Sequence, residues 1–203
     1  GSFSLATDAN NMTVGGVFNN SGVWSLGANR TLFLAGHFTN TGTLTLDATS
    51  LFSLNGTTNT NFSGTCVFAN LTISKSGGAQ ANINQNVTVN NDLVITPAAI
   101  LTINNSQTLR LAGNVTNSGT FTNNTNSIVE LIGTNTQTLI GVLSLQTLTI
   151  SKTSGNVNIG VVGSACIFSL ANSLTIPTGV NVVAGNAATT LNFAQNLVAD
   201  GSF

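Results

Sequence analysis

The chain repeats itself, and the spacing of that repeat limits what it can fold into more than any other feature. Leu32-Phe33-Leu34-Ala35-Gly36 recurs as Leu109-Arg110-Leu111-Ala112-Gly113, and Leu71-Thr72-Ile73-Ser74-Lys75 recurs as Leu148-Thr149-Ile150-Ser151-Lys152. Both matches fall at one and the same shift, the one that takes Leu32 to Leu109 and Leu71 to Leu148. A third, degraded copy opens at Leu191-Asn192-Phe193-Ala194-Gln195. A shorter period is superposed on this one: Gly-Gly-Val-Phe-Asn-Asn-Ser-Gly-Val-Trp-Ser at 15–25 returns as Ala-Gly-His-Phe-Thr-Asn-Thr-Gly-Thr-Leu-Thr at 35–45. We therefore read residues 1–203 as a single domain with an internal repeat, 32–108 against 109–190.

Gly16, Gly36, Gly56, Gly78, Pro97, Gly113, Gly133, Gly155, Pro177 and Gln195 mark units of roughly 17 to 22 residues. Each unit holds two or three short bursts with period-two alternation, such as Thr43-Leu44-Thr45-Leu46 and Leu174-Thr175-Ile176. These are strands, and no window shows helical spacing over ten or more positions. A unit of that size cannot bury its apolar face alone, whereas stacked units can. The prediction is an all-β fold, a right-handed parallel β-helix (β-solenoid) of about ten coils of roughly 20 residues, on the order of 48 Å long at the usual strand spacing. Aligning the units places Phe18, Phe38, Val115 and Leu197 in one inward column and Trp24, Leu44, Phe121 and Phe203 in another. Phe33, Arg110 and Asn192 vary freely between apolar neighbours and are expected to face solvent.

Charge narrows the function. Only 4% of residues are charged, against roughly 25% in an ordinary domain. Arg30, Lys75, Arg110 and Lys152 are the only strong cations and the net charge is -1, which leaves no basic footprint for nucleic acid. No apolar run approaches the roughly 20 residues of a membrane span, so no membrane insertion is expected. Asn and Thr, about 30 of each, supply the polarity. Asn tolerates left-handed corners, and stacked side-chain amides can bond along a ladder, the reading given to Asn19-Asn20, Asn40, Asn117 and Asn123-Asn124. Asn11, Asn29, Asn70, Asn86 and Asn114 also open Asn-x-Ser/Thr sequons, although such matches are expected in a chain of this composition.

The groups that could do chemistry are few and scattered. The acids Asp8, Asp47, Asp92, Glu130 and Asp200 form no pair at glycosidase spacing, except for Asp200 with Asp8, and both of those sit in turn-like segments. His37 reads as an exposed corner without an acid to orient it. Cys66 and Cys166 fall about five coils apart, too far for a disulfide, and alternate in phase with Phe68 and Phe168 as small core residues. Two Cys and one His so placed cannot assemble a zinc site. Lys75 and Lys152, each after Leu-Thr-Ile-Ser, are read as outward charges that discourage sideways sheet pairing; a Lys–Asn isopeptide would need a neighbouring acid. No catalytic, metal-binding or cofactor-binding residue is assigned, and none of these activities is expected.

The ends carry the remaining signal. Solenoids normally close with polar caps, yet the chain opens Gly1-Ser2-Phe3 and closes Gly201-Ser202-Phe203. The segment 196–203 matches the first half of a coil whose second half resembles residues 4–16. Running Phe203 on as Phe3 completes a coil, so Gly1, Phe3, Gly201 and Phe203 are expected at an end-to-end interface between copies.

Thr-Asn-Thr-Gly-Thr-Leu-Thr-Leu at 39–46, Asn-Ser-Gly-Thr-Phe-Thr-Asn at 117–123 and the two Leu-Thr-Ile-Ser-Lys segments resemble the secreted β-helical adhesin-like repeats of Bacteroidota and similar bacterial surface proteins. The resemblance covers almost the whole chain and lies in motifs of fold. It implies export, a cell-surface or extracellular location, and a structural role, and it carries no functional residue across. The expected function is a non-catalytic filament, stalk or adhesin building block whose partner is another copy of itself. Two other readings stand beside it. One is ice binding on a Thr-bearing face that carries Thr43/Thr45 and Thr120/Thr122, interrupted by Val23/Ser25 and Val142/Ser144; the other is binding of surface glycans.

Overall fold

A computed structural model of the chain describes residues 2–4, 11–164, 166–185 and 188–202. Among these residues every element is a strand and every inter-strand ladder is parallel. The alternation explains the strands. In Thr31–Leu34, Leu32 and Leu34 are fully buried while Thr31 and Phe33 stay half-exposed, and the same in-out pattern recurs along the chain.

Three strands make one turn, and each strand stacks on its counterpart one turn below, so the fold has three ladders or faces. The first face runs unbroken through Met12–Val14, Thr31–Leu34, Leu51–Leu54, Asn70–Ile73, Leu93–Ile95, Val115–Asn117, the start of Gln137–Leu145, Val157–Ile159 and Val182–Ala184. These nine strands number nine coils. The second face runs from Phe18–Asn20 to Thr120–Asn123 and resumes through the end of Gln137–Leu145, Cys166–Leu170 and Thr190–Phe193. The third is laddered in three pieces: Ser2–Ser4 to Thr43–Leu46, Cys66–Phe68 to Thr147–Ile150, and Leu174–Ile176 with Leu197–Ala199. The β-solenoid is as predicted, with nine coils in place of ten. The discrepancy has a definite source. Gly36, Gly56, Gly78 and Pro97 lie between the first and second faces, but Gly113, Gly133, Gly155 and Pro177 lie between the third and first, and Gln195 between the second and third. The steps from Pro97 to Gly113 and from Pro177 to Gln195 are therefore two-thirds of a coil each.

The same slip governs the long repeat. The shift that carries Leu32 to Leu109 takes Thr31–Leu34 on the first face to Thr108–Leu111 on the third, Phe38–Asn40 on the second to Val115–Asn117 on the first, and Thr43–Leu46 on the third to Thr120–Asn123 on the second. One repeat thus spans three whole turns and two further faces, and each copy is rotated by one face against the last. Three similar faces permit this, because alternation and corner residues build a strand in the same way whichever face it joins.

Rotation corrects the expected columns. Phe18 and Phe38 do stack, but Val115 stacks between Leu93 and Leu139 on the first face, and Leu197 on Leu174 on the third. Trp24 stacks with Leu44 on the third face, while Phe121 stacks on Leu101 on the second; Phe203 lies outside the described residues. Phe18, Phe38, Val115, Trp24 and Phe121 are buried and Leu44 is half-buried, so the inward assignment holds for them even though the shared columns do not. Phe33, Arg110 and Asn192 face outward on the first, third and second faces in turn. The Thr pairs of the ice-binding reading separate likewise: Thr43/Thr45 lie on the third face and Thr120/Thr122 on the second, so they form no common flat array.

The interior changes character along the axis. In the first three coils it is aromatic, with the Phe38 ring 5.1–6.1 Å from those of Phe18, Phe52, Phe62 and Phe68. Above them Val, Leu and Ile fill the same space, among them Val87, Leu93, Ile95, Leu101, Ile103 and Leu109, all fully buried. Close-packed aliphatic and aromatic layers are each compatible with one strand spacing.

Candidate functional site

The residues with chemical potential do not converge. Among the described residues no cluster of three His, Cys, Asp or Glu could hold a metal ion. Asp8 lies outside the described residues, so its pairing with Asp200 is not placed. His37 is exposed at a corner, as expected, and its Nδ1 accepts the Asn61 N–H at 3.2 Å. Asp47 caps a turn, accepting bonds from the Thr49 N–H and hydroxyl at 2.8 and 2.7 Å, which hold its carboxyl below the usual range. Arg110 and Glu130 are direct cross-coil neighbours joined by an ion pair of 2.7 Å, extended by the Ser151 hydroxyl on Glu130. The spacing already allowed this pair, since Arg110 and Glu130 each stand three residues before a marker, Gly113 and Gly133; it was missed because the acids were weighed only against one another.

Cys66 and Cys166 are free and buried, on the third face of the third coil and the second face of the eighth. Burial pushes both thiols up to about 11, which leaves them protonated and unreactive at neutral pH.

Lys75 and Lys152 overturn the expectation of outward charges. They are 1% and 3% exposed. The alternation already points this way, since Leu71 and Ile73 face inward and Lys75 is next in phase. The Lys75 ammonium donates to the main-chain carbonyls of Ala35 and Asn55, both at 2.6 Å, stitching the same corner of two lower coils. Lys152 donates to the Asn135 carbonyl at 2.6 Å. Among the described residues neither has a carboxylate partner. Desolvation lowers the Lys75 pKa to about 8 and moves Lys152 in the same direction.

The asparagines act as splices between coils. Side-chain oxygens of Asn11, Asn59, Asn86 and Asn114 accept the N–H of Thr31, Gln80, Thr108 and Thr138 at 2.8–2.9 Å, each in the next coil. Amide ladders join Asn20 to Asn40 at 2.8 Å, and Asn84, Asn104 and Asn124 at 3.0 and 3.2 Å. Among the described non-glycine residues the left-handed corners fall elsewhere, at Asn29, Ala98, Ser106 and Asn126. Sequon residues Asn11, Asn86 and Asn114 are thus engaged in holding the stack.

One junction recurs in both copies. Asn40 donates its side-chain amide to the Thr65 carbonyl at 3.0 Å, and its equivalent Asn117 donates to Val142 at 2.6 Å. Opposite them stand Gly64 (φ 78°) and Gly141 (φ 102°), where a Cβ would overlap the Asn40 or Asn117 carbonyl oxygen. At each junction the ladder is interrupted, between Thr43–Leu46 and Cys66–Phe68 in one copy and between Thr120–Asn123 and Gly141–Leu145 in the other. Beside the first lies an open groove of about 380 Å³ with no charged lining, bordered by Leu44, Leu46, Val67, Asn90 and Asn91; a second uncharged groove, about 520 Å³, runs higher up the second face to the last coil, bordered by Ser144, Gln146, Ser169, Asn192 and Phe193.

The top of the described stack is the least covered apolar surface. Inward-facing Leu197 is 38% exposed, Ala199 is exposed, and Leu191 and Phe193 are half-buried, because no described coil lies over them. At the other end, Met12 and Val14 are half-buried in the same way. Of the residues expected at an end-to-end interface, Gly1 and Phe203 lie outside the described residues. Phe3 pairs with Trp24 in the strand Ser2–Ser4, and Gly201 packs where a Cβ would overlap the Val180 and Pro177 carbonyl oxygens. No protein-family model matches the chain, and neither a curated protein nor a solved structure matches it significantly.

Proposed function

We propose that the chain is a non-catalytic structural element, an extracellular filament or stalk segment of the kind found in bacterial β-helical adhesin-like proteins, that extends by stacking further coils on its ends. The observation that carries this reading is the stacking itself: the first face runs unbroken through nine coils, each offering the next a parallel ladder and inward apolar residues, so a further coil can add by the same contacts. Charge supports it: the strands Met12–Val14, Phe18–Asn20 and Val23–Leu26 of the first coil and Val182–Ala184, Thr190–Phe193 and Leu197–Ala199 of the last contain no ionisable residue. Identical coils can meet there without aligned like charges. The scatter of acids, the two protonated thiols and the lysines committed to carbonyls support a role without catalysis.

Sedimentation and electron microscopy of the purified chain test this. The expected result is unbranched rods that lengthen with concentration in steps of about 45 Å per copy at the usual strand spacing; isolated particles at all concentrations would overturn it. Leu197→Asp should shorten the rods. A second reading, glycan binding, is favoured by the two uncharged grooves, whose hydroxyl, amide and apolar lining suits a neutral sugar; a glycan array tests it.

A further inference from the structure

We propose that the upper half of the second face is an ice-binding surface, a function that stands apart from end stacking and does not depend on it.

The rotation that parts Thr43/Thr45 from Thr120/Thr122 sets a different series of residues in line with the second of these pairs. Ile100 stacks with Thr120 and Thr102 with Thr122. Higher up, Val142 stacks with Ile167 and Ser144 with Ser169, and these in turn meet Thr190 and Asn192. The ladder is interrupted between Thr120–Asn123 and the strand that carries Ser144. There the Asn117 and Asn123 side chains donate to the Val142 and Ser144 carbonyls at 2.6 and 3.0 Å and tie the two coils together. Two outward columns result. One places a β-branched residue in every coil: Ile100, Thr120, Val142, Ile167 and Thr190. The other places a hydrogen-bonding one: Thr102, Thr122, Ser144, Ser169 and Asn192.

The columns are open to water for most of their length. Val142 and Ile167 are 52% and 46% exposed, and Thr120, Ser144, Thr190 and Asn192 are exposed as well. Phe121, Leu143 and Phe168 alternate with them and are buried, which fixes the strands from behind.

Ice offers neither charge nor pocket, only a rigid grid of water oxygens. A surface that matches it needs methyls around which water can order and hydroxyls it can bond, held still at a regular spacing. Neighbouring coils lie about 4.8 Å apart and alternate residues of one strand about 6.6 Å, a rectangular grid close to that of a prism plane of hexagonal ice. The β-branched column is stiff at χ1, so contact costs it little freedom. Neither column holds a charged residue. What a protein partner uses as anchors, namely aromatic rings, Met and Arg, is missing from both.

The gap between the melting and freezing points of a single ice crystal in a solution of the full chain tests this. The unmodified chain should open such a gap and shape the crystal into facets. Ile167→Lys and Ser144→Lys should each abolish the gap with melting temperature and circular dichroism unchanged, because a strongly hydrated ammonium breaks the grid. Thr45→Lys, on the third face, should leave the gap as it is. No gap in the unmodified chain, a gap that survives Ile167→Lys, or one lost equally in Thr45→Lys would overturn the proposal. Without a gap, sideways association of copies or binding of a neutral glycan in the groove that Ser144 borders, lost in Ser144→Lys, would assign the surface to that partner instead. Rods without a gap would overturn ice binding alone, and a gap without rods would overturn end stacking alone.

Discussion

The two copies of the repeat set one piece of sequence in two orientations, and their comparison separates what the sequence dictates from what the surroundings supply. Asn40 with Gly64 and Asn117 with Gly141 make the same junction one face apart, so the corner chemistry is local and indifferent to the face it builds. The filling is not so indifferent. Phe38 sits among four rings, whereas Val115, its equivalent, stacks between Leu93 and Leu139. The lysines differ as well. Lys75 bridges the carbonyls of Ala35 and Asn55, whereas Lys152 bonds that of Asn135, and buried Gln137, which stands where the first copy has Thr60, takes the carbonyls of Leu111 and Gly113.

The largest effect should divide the copies. Phe38→Ala should cost roughly 3–5 kcal/mol by removing the centre of the aromatic stack, and Val115→Ala roughly 1.5–3 kcal/mol. Urea titration read by the single Trp24, which lies against Phe18 and Phe52, checks both, with the Phe38 variant also changing the native emission. Equal losses would mean that the two interiors are equivalent after all.

The next effect should unite them. Gly64→Ala and Gly141→Ala should each destabilise by about 3 kcal/mol, since both force a side chain into the left-handed region and against a main-chain oxygen. If one were tolerated, the equivalence of the junctions would fail. A smaller effect is tied to pH. The unfolded Lys75 binds its proton up to about pH 10.5, and the folded one only to about 8. The unfolded state therefore holds more protons above pH 8 and stability should rise from pH 8 to 9. Above pH 9 the buried thiols act oppositely, because the unfolded state loses their protons first. Lys75→Met should flatten the rise more than Lys152→Met, measured as melting temperature against pH. Smallest of all, Asn86→Ala should cost about 1 kcal/mol by leaving the Thr108 N–H without its acceptor.

Much of this fold was legible because alternation and periodicity are local signals, and both reach down to single residues such as Leu32 and Cys66. Phase was harder to read. Markers such as Pro97 and Gly113 look alike in sequence but stand at different corners, so aligning them as whole coils put Val115 beneath the wrong neighbours. Lys75 was misplaced for another reason: charge was weighed above alternation, although Leu71, Ile73 and Lys75 share one phase. What the alternation could not show is which carbonyls would receive its ammonium, since Ala35 and Asn55 become neighbours only when the coils stack.

The rotated repeat is tested most directly by nuclear Overhauser contacts of the Val115 methyls in the methyl-labelled full chain. A repeat that advances three turns and two faces predicts contacts to Leu93 and Leu139. Contacts to Ala99 in place of Leu93 would put Val115 on the face of Phe38 and contradict it.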